Sequence, residues 1–439
     1  MIEDQAALEA FCQRAASATF LTVDTEFVRE KTYYPLLCLV QVASDDEAVA
    51  IDPLAPDMDL SPLFALMTET SMPKVFHAAG QDLEIFANLA GTLPSPLFDT
   101  QIAAMVCGFG DQVGYERLAR SLAGAELDKT ARYTDWSRRP LTDTQINYAL
   151  GDVTHLRTVF IELTNRLERD GRVGWVEEEM AAVANLSRYQ PDVQDAWRRL
   201  KPRGDKPQFL NVLVSVAAWR ELEAQSRDVP RNRIIRDDTV MEIAASAPKT
   251  AADLGGVRGY SDNAARGKQG QAILAAVEEG LAKPRDAAPK LKKRKPLSDS
   301  AAQGAALLRV LLKARSENAD VAQRIVANAE GAQESRCRLS RLHHRDPWLL
   351  RSGLGETWHH PGGARGAGTV LRSSVALADC LGLPASVPNA LRSAEAGRAL
   401  RLGIRNRLFG CCRDHVGFPH IHGGCAVRDR TWRPVLRRA

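Results

Sequence analysis

Residues 20–27 read Phe20-Leu21-Thr22-Val23-Asp24-Thr25-Glu26-Phe27, an apolar strand pattern interrupted by two acids. Successive side chains of a strand alternate between faces, so Asp24 and Glu26 share one face. Two unpaired carboxylates on a buried face repel one another and lose their hydration. A hard divalent cation such as Mg²⁺, which takes oxygen ligands, removes that cost. The other reading is an amphipathic strand with both acids in water. The pattern alone leaves both readings open.

The neighbouring sequence places this strand in an α/β domain. Residues 1–18 carry Ala7, Leu8, Phe11 and Cys12 at helical spacing. Leu36 to Val42 (LLCLVQV) is a second strand. Ala48 to Ile51 (AVAI) is a third, ended by Asp52-Pro53, and Lys74-Val75-Phe76-His77 is a fourth. Helical patterns follow at residues 82–89, 100–107 and 115–122, with Asp99 as an N-cap before Thr100. Three strands joined by short links predict an antiparallel meander, and the later alternation predicts crossovers onto the same sheet. A three-layer α/β domain of roughly 170–200 residues follows. Thr142 and Gln145 have capping-box spacing and open a long helix reaching about Arg169. That helix carries Tyr148 and Asp152 four residues apart, on one face. Asp82 reads, by itself, as an acid favoured at a helix N-terminus.

The whole chain has 439 residues, 45% hydrophobic and 26% charged. This length accommodates two to four domains of roughly 100–200 residues. The composition argues against wholesale disorder, a collagen-like repeat and a small disulfide scaffold. The sequence lacks a run of 18 uncharged apolar residues, so a membrane span is not expected. The N-terminus has Glu3 and Asp4 where a signal peptide has basic residues, so a cytoplasmic protein is expected. The net charge of +4 conceals a split. Residues 333–439 hold 18 Arg, no Lys and 7 acidic residues, together with 5 of the 8 Cys and 7 of the 9 His.

Read in order, VDTEF, HAAGQDLEIF and YALGD resemble the DEDD family of 3′-to-5′ exonucleases, in the subgroup with tyrosine in its third motif. TEFVREKTYYPLLCLVQV, IDPL, FDTQIAA, LDKTARYTDWSRRPLT and NYALGDVTHL are similar to the bacterial ribonuclease D family over about residues 15–330. The resemblance implies an α/β, RNase H-like exonuclease domain, a mixed sheet flanked by helices, followed by all-α HRDC modules. It implies a catalytic set of Asp24, Glu26, Asp82, Tyr148 and Asp152 with two divalent ions, Mg²⁺ or Mn²⁺. Asp24, Glu26 and Asp152 would hold one ion, and Asp24 with Asp82 the other, while Tyr148 would orient the attacking water. Two such ions stabilise the attacking and leaving oxygens of an in-line displacement at phosphorus. The implied reaction hydrolyses RNA from its 3′ end and releases nucleoside 5′-monophosphates, with tRNA precursors bearing 3′ extensions as substrate. Lys129 and Trp136 are candidate substrate contacts by the same resemblance. Core packing for Trp136 and an exposed charge for Lys129 are the structural alternatives.

Residues 229–238 (VPRNRIIRDD) resemble the HRDC signature. Such modules assist nucleic-acid binding, and Arg231, Arg233 and Arg236 could contact phosphates. Alternatively they pair with Asp237, Asp238 and Glu242 inside the module. The expected organisation is an exonuclease domain over 1–205 and an HRDC domain over 206–284. A basic linker spans 285–300, and partial second-module helices span 301–332. Residues 333–439 then depart from the family composition. A shift of reading frame in a GC-rich gene produces such a composition, and an unstructured tail is expected. A zinc site at Cys411, Cys412, His415, His420, His422 and Cys425 and a basic RNA-binding tail are the alternatives.

Two other functions compete with the exoribonuclease. One is an exonuclease of the same chemistry acting on DNA. The other is a non-catalytic RNA-binding adaptor. A monomer is expected by analogy.

Overall fold

The computed structural model describes residues 1–127, 131, 134–202, 204–291 and 299–326. Lys129 and residues 333–439, on which the tail and zinc expectations fall, lie outside the described residues. The described residues fall into two compact units, one holding those up to residue 291 and one holding residues 299–326.

The first unit opens with α1 (Gln5–Ala15), capped by the Asp4 side chain, which accepts from the Ala7 N–H at 2.9 Å. The strands β1 (Leu21–Val28), β2 (Leu36–Ala43) and β3 (Ala48–Ile51) form the expected antiparallel meander. After α2 (Ser61–Thr68), the crossover strand β4 (Lys74–Phe76) pairs parallel with β1. Beyond α3 (Gly80–Ala90), β5 (Leu97–Asp99) pairs parallel with β4. The sheet order is therefore β3-β2-β1-β4-β5, a mixed sheet. Sequence periodicity did not reveal α2 or β5. β5 has three residues and exists through its pairing with β4, and α2 has no side-chain cap and is held by burial of Leu63, Leu66 and Met67.

The sheet separates two packed faces. Val23, Val40 and Val42 point into the core shared with α1, α2 and α3. The opposite face carries Leu39 and Ala50 and receives Ala149 of α6 (Asp143–Arg169). The helices α4 (Thr100–Val106) and α5 (Tyr115–Ala123) precede α6, and α7 (Val173–Val183) follows it. The expected capping box is present, with Thr142 and Gln145 bonding each other's backbone N–H groups. Such a cap contributes about 1 kcal/mol. Thr22 Oγ1 donates to the Val153 carbonyl at 2.8 Å, pinning the middle of α6 to β1. Asp52 and Arg139 tie two of the quoted motifs together. The guanidinium donates to both Asp52 oxygens at 2.6 Å and to the carbonyls of Cys38 and Trp136.

Residues beyond 206 form the all-α module: α8 (Pro207–Ser226), α9 (Arg231–Ile234), α10 (Asp237–Ser246), α11 (Ala251–Gly255), α12 (Asp262–Arg266) and α13 (Lys268–Ala282). α13 lies close against α8 at Gly280, where an added Cβ would come within 2.6 Å of the Val212 backbone. The module's core also takes Trp197 and Leu200 from before residue 206 and Ala288 and Leu291 from after 284, so its packing exceeds the 206–284 span on both sides. The second unit contains α14 (Asp299–Asn318) and α15 (Gln323–Val326), where two further helices were expected. Among the described residues, no helix is long and apolar enough to cross a membrane.

Candidate active site

Strand alternation and one helical turn bring the acids together. Ligand oxygens of Asp24, Glu26 and Asp152 all lie within 4.8 Å of one another. Asp24 and Glu26 come from β1 and Asp152 from the buried side of α6. Asp82 enters from the first turn of α3. Thr25, between the two strand acids, points to the opposite sheet face, and its Oγ1 donates to Asp82 Oδ1. This residue type was not singled out from sequence. Its position between two acids is the signal that marks it.

The turn delivering Asp82 is itself held in place. Ala78 adopts a left-handed φ of 60°, which costs a non-glycine residue roughly 1–2 kcal/mol. The Asp99 carboxylate fixes that turn by accepting from the N–H groups of Ala78 and Ala79 at 2.9 and 3.0 Å. It also caps α4 through the Gln101 N–H, as expected from sequence. One acid thus organises the start of both α3 and α4.

The electrostatics are those of crowded, poorly hydrated carboxylates. Burial, reinforced by the charge of Asp152, pushes the Asp24 carboxyl up to about 8, against a hydrogen bond from the Thr25 backbone N–H. Burial and then the charge of Asp24 push Asp82 well above the usual carboxylate range, opposed by the Thr25 hydroxyl. The charge of Asp152 thus acts on Asp24, and the charge of Asp24 on Asp82. The three clustered carboxylates of Asp24, Glu26 and Asp152 fit a divalent cation by charge and by ligand chemistry. The cluster is far less suited to staying fully ionised without one.

The aromatic residues divide between the site and its support. Tyr148 is half-buried one turn before Asp152 on α6. Trp136 is 3% exposed and packs against Tyr148 with ring centroids 6.2 Å apart. Its Nε1 has no hydrogen-bond partner among the described residues. This burial puts Trp136 in the core behind Tyr148, the packing alternative, and leaves it little surface for a substrate. Tyr115, which the sequence did not flag, also borders the site. Its hydroxyl donates to the Gly151 carbonyl at 3.3 Å, and burial and then the charges of Asp152 and Asp24 push its ionisation upward. His77 supports Tyr115 at 5.5 Å between centroids, with its ring held by Thr100 Oγ1 and the Val113 carbonyl.

The arginines of the helical module also separate. Arg231 forms a bidentate pair with Glu221 and lies 4.4 Å over the ring of Tyr33, which sits in the loop following β1. Glu221 also accepts from the Tyr33 hydroxyl, and Asp228 accepts from the N–H groups of Tyr33 and Tyr34 at 3.0 Å. Arg231 is therefore held by Glu221 within the helical module and by Tyr33 in the loop after β1, to whose hydroxyl it donates at 2.8 Å, and its acidic partner is not among those expected. Asp237, one of the expected partners, binds Arg220 instead, at 2.7 Å. Arg233 and Arg236 are exposed.

Comparison with known proteins gives two family matches. A family described as 3′-5′ exonuclease matches residues 1–168, and the HRDC domain matches residues 209–277. Ribonuclease D of Jannaschia sp. is 49% identical over 326 residues, 73% of this chain and 84% of the relative. Ribonuclease D of Gluconacetobacter diazotrophicus is 50% identical over 323 residues, 74% of this chain and 82% of the relative. The crystal structure of Escherichia coli RNase D, an exoribonuclease involved in structured RNA processing, superposes with a TM-score of 0.67. That match has 29% identity and covers 87% of this chain and 98% of that one.

Proposed function

This chain belongs to the ribonuclease D family and is a 3′-to-5′ exoribonuclease, and we propose that it trims the 3′ extensions of tRNA precursors. The observation that carries the site assignment is the convergence of Asp24, Glu26 and Asp152 within 4.8 Å, with Asp82 tied to the same strand by the Thr25 hydroxyl. Asp24, Glu26 and Asp152 would hold one Mg²⁺ or Mn²⁺ ion, and Asp24 with Asp82 a second. When bound, such ions activate water near neutral pH and neutralise charge at phosphorus and at the leaving oxygen.

The residues of the chain supply position. Tyr148 directs its hydroxyl toward the attacking water from the same helix face that presents Asp152. Trp136 fixes the Tyr148 ring from behind. The Thr25 hydroxyl and the Asp99-held turn fix Asp82. Water adds to the terminal phosphorus, the bond to the 3′-oxygen breaks, and a nucleoside 5′-monophosphate leaves. The shortened RNA retains a 3′-hydroxyl. Exposed Arg233 and Arg236 are the module's candidates for phosphate contacts. We assign the exonuclease to residues 1–205 and the HRDC module to 206–284, and the molecule acts as a cytoplasmic monomer.

A metal-dependence assay on a 3′-extended tRNA tests this reading, using the full chain, a version ending at residue 332, and Asp24→Ala. Release of 5′-monophosphates with Mg²⁺ or Mn²⁺, lost with EDTA and in Asp24→Ala, is the expected result. RNA binding without turnover in the full chain would instead support a non-catalytic adaptor. A DNA strand of the same sequence, lacking 2′-hydroxyls, tests the RNA preference.

A further inference from the structure

Gln41 is fully buried on β2, and neither its Oε1 nor its Nε2 has a hydrogen-bond partner among the described residues. Buried polar side chains in folded proteins nearly always have partners, so a carboxamide with both ends unpaired calls for an explanation. The strand register supplies one. Gln41 is the direct cross-strand partner of Asp24.

Directly opposed residues of an antiparallel pair point to the same face, with Cβ atoms about 4.5–5.5 Å apart. Gln41 therefore lies on the face that carries Asp24 and Glu26, beneath α6. Among the described residues, the cluster packed on this face includes Trp136, whose Nε1 is also unpaired but only donates, so it competes for the amide oxygen and not for the Nε2–H. On β3 its partner is Ala50, and along its own face lies Leu39, both packed with Ala149 of α6. The diagonal neighbour Thr22 already donates its hydroxyl to Val153. The opposite face, with Val40 and Val42, is apolar core. The polar group across the strand pair from Gln41 is the Asp24 carboxylate. The amide makes no hydrogen bond to that carboxylate in this structure, and the broad terminal torsion of glutamine leaves it free to turn toward it.

We propose that Gln41 is a positioning residue for the hydrolytic site, whose Nε2–H, unpaired in this structure, turns to donate to the Asp24 carboxylate and orients it when a cation binds. This rests on the reading of Asp24 as a metal ligand. Gln41 touches neither substrate nor the reacting atoms and acts through Asp24. Hydrogen-bond partners of this kind restrict a ligating carboxylate to the orientation that ligation requires, and their removal commonly weakens metal affinity by about 10–100-fold.

The test uses the full chain and Mn²⁺ as probe, with binding followed by electron paramagnetic resonance in the absence of RNA. Gln41→Met keeps the length of the side chain and removes both polar atoms. Its melting temperature in EDTA is expected to equal or exceed that of the wild type, because two unpaired polar atoms leave the core. Its Mn²⁺ affinity is expected to fall about tenfold or more. With Mn²⁺ held at one subsaturating concentration, kcat should fall comparably and KM for RNA should stay unchanged. Gln41→Asn, which withdraws the amide by one methylene, provides the same readout should the methionine variant fail to fold. Mn²⁺ binding within twofold of wild type in a folded variant overturns the proposal. Asp24→Asn separates the two layers of the argument. Loss of binding in Asp24→Asn with wild-type binding in Gln41→Met overturns the role of Gln41 alone. Wild-type binding in both overturns the metal assignment and this inference with it.

Discussion

Thr25 Oγ1 donates to Asp82 Oδ1, joining the strand that carries two of the acids to the helix that carries the third. The threonine lies between Asp24 and Glu26 yet faces away from both. Its hydroxyl draws the Asp82 carboxyl back toward ionisation against burial and the charge of Asp24. Thr25→Val keeps the shape and removes that donor. The expected result is a fall in kcat of about tenfold, roughly 1.4 kcal/mol, with the acidic limb of the kcat–pH profile displaced to higher pH. An unmoved acidic limb would show that Thr25 serves the fold alone.

Asp24 gives the metal-free protein a characteristic pH dependence. Burial and the charge of Asp152 push its native carboxyl up to about 8, above the value of about 4 in the unfolded chain. Between those values the native state binds a proton that the unfolded chain releases, so stability falls as pH rises. In EDTA the melting temperature should therefore drop from pH 5 to pH 8, and Asp24→Asn should flatten that slope. Mg²⁺ should raise the melting temperature more at pH 8 than at pH 5. Differential scanning calorimetry at both pH values decides the matter.

Tyr148→Phe should separate chemistry from metal binding. The hydroxyl is assigned to the attacking water and not to a cation. The variant should lose about 10²-fold in single-turnover rate, the lower range for a positioned proton-handling group. Its Mn²⁺ affinity should stay within twofold of wild type. A parallel loss of both would place the hydroxyl among the metal-site contacts.

Arg231 and Glu221 form a pair whose members depend on each other. The Glu221 side chain is 5% exposed, so Arg231→Ala leaves a buried carboxylate without its counterion. Breaking such a pair costs about 3–5 kcal/mol. Urea unfolding should show that loss, and the double variant Arg231→Ala, Glu221→Gln should recover much of it. A loss below about 1 kcal/mol would mean that the junction at Tyr33 is held by Asp228 and packing.

Arg233 and Arg236 should behave as phosphate contacts. Alanine at each should weaken RNA binding regardless of sequence and reduce the salt slope by roughly one unit per residue. Binding isotherms at two salt concentrations measure this directly. An unchanged slope in the double variant would confine both arginines to the protein surface.

Much of the candidate site was legible because its residues lie on regular elements with short sequence periods. Alternation placed Asp24 and Glu26 on one face, and helical spacing placed Tyr148 with Asp152. The capping box at Thr142 and the N-cap at Asp99 were equally local and equally visible. Trp136 and Arg231 were harder. Their types suit both substrate contact and packing, and the choice depends on what stands beside them. In the fold Tyr148 stands beside one, and Glu221 and Tyr33 beside the other.

The sequence by itself determined the order of the elements, the meander and, through its motifs, the family and the candidate acids. Each of these follows from local spacing or from motifs a few residues long. Tertiary structure alone decided which partners those residues have. Thr25 reaches Asp82, Arg139 reaches Asp52, Tyr33 reaches the helical module, and Gln41 lies opposite Asp24. These relationships join positions far apart in the chain, and each depends on strand register, helix rotation and burial acting together. A residue's type limits the contacts it can make, but only the packed chain brings a particular partner within reach.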